Sequence, residues 1–261
     1  VTDTAGLAGN LEGRNMSNSW GDWDGDGDLD PFVAGYGELG NPLPDGDPSS
    51  IYRNNGDGTF TDFSSRLPSD HQKAHTFIGN WTDIDGDRIP ELYLVNDFGW
   101  YYPNPVLRYD GANFVEDHTV DGLDVSMESM GLGIGDLNDD EIQDFIVAAW
   151  NRISLLLSDG TSTAWWDHAA SAGIGTDDTT DRNVAWGTEL NDLDNDGDLD
   201  AFVAFGFLKV SKDNPKEQPD ALFVNDGNNA FTQEAEAWGV ADTTRSRGFV
   251  VADINNDGWL D

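Results

Sequence analysis

Short apolar runs of strand length, rich in β-branched and aromatic residues, recur along the chain at a nearly regular interval. Each period predicts four strands. The first is a short apolar segment: Met16–Trp20, Thr76–Trp81, Met130–Ile134, Val184–Leu190 and Gly248–Val251. A polar interval separates it from the second, PFVAGY (31–36), LYLVND (92–97), FIVAAW (145–150) and AFVAFG (201–206). The third and fourth are joined through Asn/Asp-Gly or Ser-Asp-Gly turns in IYRNNGDGTF (51–60), VLRYDGANF (106–114), SLLLSDGTSTAWW (154–166) and ALFVNDGNNAF (221–231), a strong short-range hairpin signal. No segment reads convincingly as a helix. Four short strands in each repeat of about 58 residues predict an all-β fold, a β-propeller of four-stranded blades. A β-sandwich would not keep one repeat in such strict phase.

The polar interval is itself a repeat. Asp, x, Asp/Asn, x, Asp, three residues, Asp/Glu occurs at Asp22, Asp83, Asp136, Asp192 and Asp253, with starts 61, 53, 56 and 61 residues apart. The side chains at positions 1, 3, 5 and 9 are Asp22, Asp24, Asp26 and Asp30; Asp83, Asp85, Asp87 and Glu91; Asp136, Asn138, Asp140 and Asp144; Asp192, Asp194, Asp196 and Asp200; and Asp253, Asn255, Asp257 and Asp261. Position 7, where a backbone carbonyl can add an oxygen, is Asp28, Ile89, Ile142, Asp198 or Trp259. An all-oxygen set of this density suits Ca²⁺, which takes six to eight oxygen ligands. Gly27, Gly197 and Gly258 at position 6 permit a positive φ; Arg88 and Glu141 stand there in the second and third loops, which are expected to be more strained or weaker sites.

An EF-hand opens similarly but needs a bidentate Glu at position 12 and flanking helices. Position 12 here is Val33, Leu94, Val147 or Val203, inside a strand-like run. Calcium-binding nonapeptide β-helices have a far shorter period. Asp and Gly are also ordinary turn residues, so one copy alone would mean little; five in register point to metal.

Charge extends this picture. The 261 residues carry 50 acids and 13 Lys plus Arg, a formal net charge of -37. Five divalent ions would add +10 and leave -27, so metal accounts for part of the acidity and a solvated acidic surface for the rest. Such a surface repels nucleic acid and anionic membranes and suits a saline habitat. With 38% hydrophobic residues and ten Trp there is enough apolar mass for a core. There is no Cys, and no apolar run approaches the ~18 residues of a membrane helix. Loops that need about 10⁻⁴–10⁻³ M calcium belong outside the cytosol, so a secreted, cell-surface or periplasmic location is expected. The start at Val1 is read as a processed or trimmed one.

The segments WGDWDGDGDLDPFVAG (20–35), IYRNNGDGTFTDFS (51–64) and NDLDNDGDLDAFVA (191–204) resemble the FG-GAP/VCBS repeat family, whose propellers include the head of integrin α subunits. Within it they are most similar to bacterial repeats related to cartilage acidic protein; literal FG…GAP segments are not visible. The resemblance implies a calcium ion in the acidic loop of each blade, up to five structural Ca²⁺ here. It also implies six or seven blades, and seven periods would need about 400 residues. The last residue, Asp261, is the ninth position of the fifth loop. The expectation is therefore a single propeller domain over residues 1–261, four full repeats plus the start of a fifth, an incomplete portion of the ring shortened at its C-terminus.

Function is less legible. The connections after the second strand, 36–50, 96–105 and 206–220, vary most between repeats, and variable loops on a rigid scaffold are where binding usually resides. Trp100, Tyr101 and Tyr102 form a candidate platform for sugar rings, with a blade-rim cover as the plainer role. Lys209, Lys212 and Lys216 could meet an acidic partner or simply be solvated. Trp20, Trp81 and Trp186 read as packing between blades, and Trp165 and Trp166 as divided between core and surface. His118 and His168 read as equivalent structural positions, and His71 and His75 fit no catalytic pattern. No nucleophile motif, phosphate loop or zinc spacing is present, and no catalytic residue is assigned. The expected function is an adhesion, protein-interaction or assembly module. A lectin-like propeller and a polysaccharide-active lyase or dehydratase are the alternatives. The expected partner is a protein or a cell-surface glycan, with the chain as a subunit of a larger assembly, and with no nucleic acid and no membrane span.

Overall fold

The computed structural model describes residues 5–7, 13–40, 45–175, 183–207 and 218–261. The predicted Lys209, Lys212 and Lys216 lie outside them. The chain divides into two compact units, Val1–Ser129 and Met130–Asp261. The first holds one sheet of β1 (Asn15–Gly21), β2 (Asp30–Gly35), β3 (Ser50–Asn54) and β4 (Phe60–Asp62). Its other sheet has β5 (His75–Thr82), β6 (Glu91–Asp97), β7 (Val106–Tyr109) and β8 (Phe114–Glu116). The second unit contains β9 (Ser129–Gly135), β10 (Asp144–Ala149), β11 (Arg152–Ser158) and β12 (Trp165–Asp167), then β13 (Ala185–Asn191), β14 (Asp200–Phe205), β15 (Ala221–Asn225) and β16 (Phe231–Gln233). In each sheet the strands pair in chain order as an antiparallel meander, the blade of a β-propeller.

The second strands are buried on both faces. Every residue of β6 and of β10 is out of solvent, which is why these segments read as continuous apolar runs rather than alternating ones. In the first unit Phe32, Ile51, Trp81, Leu92, Leu94, Leu107 and Phe114 form one core cluster with Trp23. Trp23 enters it from the acidic loop and meets the rings of Tyr109 and Phe114 edge-on, with centroids 4.5 and 5.1 Å apart. The two sheets of this unit approach closely at Gly79, where a Cβ would run into the Phe32 ring. In the second unit Ile146, Ile153, Leu155, Val203, Phe205, Phe223 and Phe231 belong to a corresponding cluster.

Several expectations need correction. Gly248–Val251 forms no strand, although Arg247 beside it accepts the Gly187 amide at 3.1 Å and Phe249 meets the Phe202 ring at 4.6 Å; the fifth loop closes through Ala252 and Asp261, which exchange backbone hydrogen bonds of 2.9 and 3.3 Å. A strand needs a partner along its length, and none of the described residues pairs there. Short helical turns, α1 (Ala169–Ala172) and α2 (Ala235–Trp238), follow the fourth strands, each closed by a left-handed glycine, Gly173 or Gly239. Trp81 and Trp186 are buried as expected, but Trp20 is half exposed, with its ring edge-on to Phe60 at 6.2 Å. Trp186 lies farther from its loop than Trp20 and Trp81 do, and its indole N–H donates to the Gly206 carbonyl. Trp165 is buried and Trp166 exposed, the division expected.

Because the Phe32 ring occupies the space above Gly79, Gly79→Val should overpack the core and destabilise the protein by about 1–3 kcal/mol. The urea midpoint should fall accordingly; an unchanged midpoint would show that this contact is loose.

Candidate metal centre

The five acidic loops share one backbone conformation. Position 6 has positive φ in every copy: Gly27 at 95°, Arg88 at 76°, Glu141 at 67°, Gly197 at 102° and Gly258 at 89°. Arg88 and Glu141 thus hold a left-handed conformation that is unfavourable for a residue with a Cβ. Position 4 is also left-handed, in Gly25, Gly86, Asp139, Asn195 and Asn256. The sequence reading overlooked this, although Gly, Asn and Asp, the residue types that tolerate positive φ best, fill position 4 in all five copies.

This winding turns backbone N–H groups inward onto the first carboxylate. The position-6 amide donates to the position-1 carboxylate at 3.0, 3.0, 2.9, 3.1 and 2.9 Å in the five loops. The position-7 amide donates to the position-5 carboxylate at 2.8–3.0 Å. The loop is therefore an Asp-wrapped turn, its first carboxylate tied to the loop's own backbone.

The ninth residue ties the loop to its sheet. Glu91, Asp144, Asp200 and Asp261 each accept the position-2 amide at 2.8–3.0 Å. In three sheets the other carboxylate oxygen accepts an amide from the end of the third strand: Asn54 to Asp30 at 2.6 Å, Ser158 to Asp144 at 2.7 Å and Asn225 to Asp200 at 2.9 Å. Asn54 and Asn225 also donate their side-chain amides to the position-8 carbonyls of Leu29 and Leu199. The recurrent Asn two residues before the hairpin glycine is the sequence signal for this clamp.

In the first, second and fourth loops the carboxylates at positions 1, 3 and 9 converge. One oxygen from each of Asp22, Asp24 and Asp30 lies within 4.8 Å of the others, as do those of Asp83, Asp85 and Glu91, and of Asp192, Asp194 and Asp200. Asn138 and Asn255 replace the middle carboxylate in the other two. Two buried oxygens of the first cluster, Asp24 Oδ1 and Asp30 Oδ2, are reached by no donor in good hydrogen-bond geometry, although the Asp26 and Trp23 amides face these carboxylates. Like charges that converge with unsatisfied oxygens are what a hard cation would relieve. In the third loop Asp140 Oδ2 instead takes the Ser158 hydroxyl.

Two stretches, residues 22–94 and 192–261, match the FG-GAP-like repeat. The chain belongs to that family. No curated protein matches this FG-GAP-like chain at a significant level. Among solved structures it is similar to an Agrocybe aegerita lectin that recognises non-reducing terminal N-acetylglucosamine, at 16% identity over 84% of this chain and 51% of that one, with a TM-score of 0.46. The Dos1 propeller matches at 12% identity, 85% and 50% coverage and a TM-score of 0.45. The exotype rhamnogalacturonan lyase YesX matches at 15% identity, 92% and 51% coverage and a TM-score of 0.43. The chain spans about half the length of these structures.

Elsewhere in the FG-GAP-like chain, the 96–105 connection is rigidly built. Asn96 and Asn104 are fully buried; the Asn104 side chain accepts the Asn96 amide at 2.8 Å and donates to Ser129 Oγ at 3.1 Å. Phe98 has φ 57°, and Gly99 N–H is held by the Met127 carbonyl. On this support Trp100 and Tyr101 stand 57% and 66% exposed, with ring centroids 6.3 Å apart, while Tyr102 is half-buried. His118 stands 3.9 Å from the Glu116 carboxylate that His71 also approaches. His71 hydrogen-bonds Glu116 at 2.8 Å, and His75 is packed between Tyr36 and Phe98. His118 and His168 are not equivalent: strand register pairs Glu116 with Leu107 and Asp167 with Leu156, so Asp117 takes the place of His168. No helix among the described residues is long and apolar enough to cross a membrane.

Burial pushes the ninth carboxyls up, to about 7 for Asp30 and Glu91 and about 6 for Asp144. A folded state that holds these protons more tightly than the unfolded chain is stabilised by them below the ordinary carboxyl value of about 4, and loses that stability as the pH rises through 6–7. Metal-stripped protein should therefore show a falling urea midpoint between pH 4.5 and 8. A midpoint that rises over that range would contradict the burial of these groups.

Proposed function

We propose that this FG-GAP-like chain is a calcium-stabilised β-propeller module that works outside the cytoplasm as an adhesion or assembly surface. The observation that carries the calcium reading is the convergence of three carboxylates in the first, second and fourth loops, with buried oxygens in the first left unsatisfied. The side chains at positions 1, 3, 5 and 9 and the carbonyl at position 7 would hold the ion. Bound, it neutralises carboxylates that otherwise repel, so its binding free energy becomes folding free energy. The first and fourth loops, with glycine at position 6, are the strongest candidates; the third, with Asn138, strained Glu141 and an engaged Asp140, is the weakest. A loop of this kind tuned to about 10⁻⁴–10⁻³ M calcium suits an extracellular or periplasmic setting.

At calcium about a thousandfold above Kd, each occupied site adds about 4 kcal/mol. Excess EGTA should lower the melting temperature by many degrees, and Asp192→Asn should remove one site's share of the calcium-dependent gain. A melt indifferent to EGTA would overturn the reading.

A second reading is favoured by the exposed Trp100–Tyr101 pair on its rigid loop: a surface for the apolar face of a sugar ring, preorganised so that little entropy is lost on binding. Binding on a glycan array should vanish in Trp100→Ala/Tyr101→Ala while the melt is unchanged. Equal binding by that variant would leave the pair as a rim cover.

A further inference from the structure

The second loop opens into a cavity of about 330 Å³, lined by Asp85, Asp87 and Glu91 from the loop and by Arg108 and Asp117 from the hairpin beyond it. Asp117 belongs to no loop motif. Its backbone N–H donates to the Val106 carbonyl at 2.8 Å, which seats it at the register position that Phe63 and His168 take in other sheets. Asp117 Oδ1 accepts the amide and hydroxyl of Thr119 at 2.8 and 2.6 Å. Asp117 Oδ2 is buried and accepts no hydrogen bond. The side chain is 1% exposed, and its nearest cation, Arg108 Nε, stands 3.8 Å away on a side chain that is 46% exposed.

That is a poor end state for a carboxylate. A buried anionic oxygen without a donor is costly, and a half-solvated guanidinium outside hydrogen-bond reach offsets little of it. Asp117 shares its cavity with the carboxylates at positions 3, 5 and 9. The same loop carries the two departures from the motif that a fifth carboxylate would offset: Arg88 in the left-handed position 6 and Glu91 in place of Asp at position 9.

We propose that Asp117 is a cation ligand supplied from outside the loop: its Oδ2 joins Asp85, Asp87 and Glu91 around the calcium ion of the second loop. This rests on the reading that the loops hold calcium. A hard cation with six to eight oxygen positions has room for it where another loop would use water. Arg108, released, needs only to turn further into solvent.

The test is a crystal structure of the calcium-loaded protein together with calorimetric calcium titrations of the wild type, Asp117→Asn and Asp85→Asn. Asn can keep the acceptor for Thr119, so the turn at 117–119 survives. The expected result is an Asp117 oxygen at the ordinary calcium distance of roughly 2.3–2.6 Å. In solution Asp117→Asn should weaken one binding step by about tenfold or more and leave the others unchanged. The same drop should appear in an Arg108→Gln background, where a bare guanidinium cannot be its cause. The proposal is overturned if calcium occupies the second loop with Asp117 still turned to Arg108, and Asp117→Asn titrates as the wild type while Asp85→Asn loses a step. An absence of calcium from every loop would overturn the loop reading and this proposal together.

Discussion

A carboxylate withdrawn from water at the ninth position of the loop is the constraint on which each sheet depends. Asp30, Glu91, Asp144 and Asp200 are all buried, and removing such a charge from solvent is expensive unless donors replace the lost water. The donors come from two directions, the loop's own second amide and, in three sheets, the amide that ends the third strand. The loop, the start of the second strand and the hairpin are thereby held to one another through a single side chain. In those three sheets the second and third strands share a register because both are tied to it.

The first carboxylate does a different job, and it does so locally. The fifth loop makes the point: Asp253 accepts the amides of Asp257 and Gly258, and Asp261 accepts that of Ile254, with no four-stranded sheet around them. Ile254 at position 2 is 79% exposed there, while its counterpart Trp23 is 1% exposed. The turn forms from its own amides; burial of its apolar second residue is what the hairpin adds. Loop conformation is thus a property of nine residues, and blade formation a property of the packing that follows.

This separation decides what could be read from the sequence. The loops were legible because their conformation is local and repeated, and the strands because central strands buried on both faces leave uninterrupted apolar runs. What was missed depends on neighbours. Nothing in the local sequence says that Trp20 stays half exposed where Trp81 is buried, or that Asn54 and Asn225 reach back to the loop. His118 and His168 looked equivalent by counting along the chain, and a one-residue difference in strand register put Asp117 in the compared position instead. Position 4 was a true oversight, since its five residues all belong to the small set that tolerates positive φ.

The same separation bears on where binding specificity can arise. The acidic loops are constrained at nearly every position: side-chain oxygens at 1, 3, 5 and 9, left-handed backbone at 4 and 6, an apolar residue at 2. They have little freedom left to vary. The 96–105 connection between a second and a third strand has no such duties. Its polar interior is satisfied by Asn96 and Asn104, so the residues at its crest are free of structural work. Exposure of Trp100 and Tyr101 on so well-supported a loop places an aromatic surface where substitution would disturb neither the carboxylate clamp nor the core.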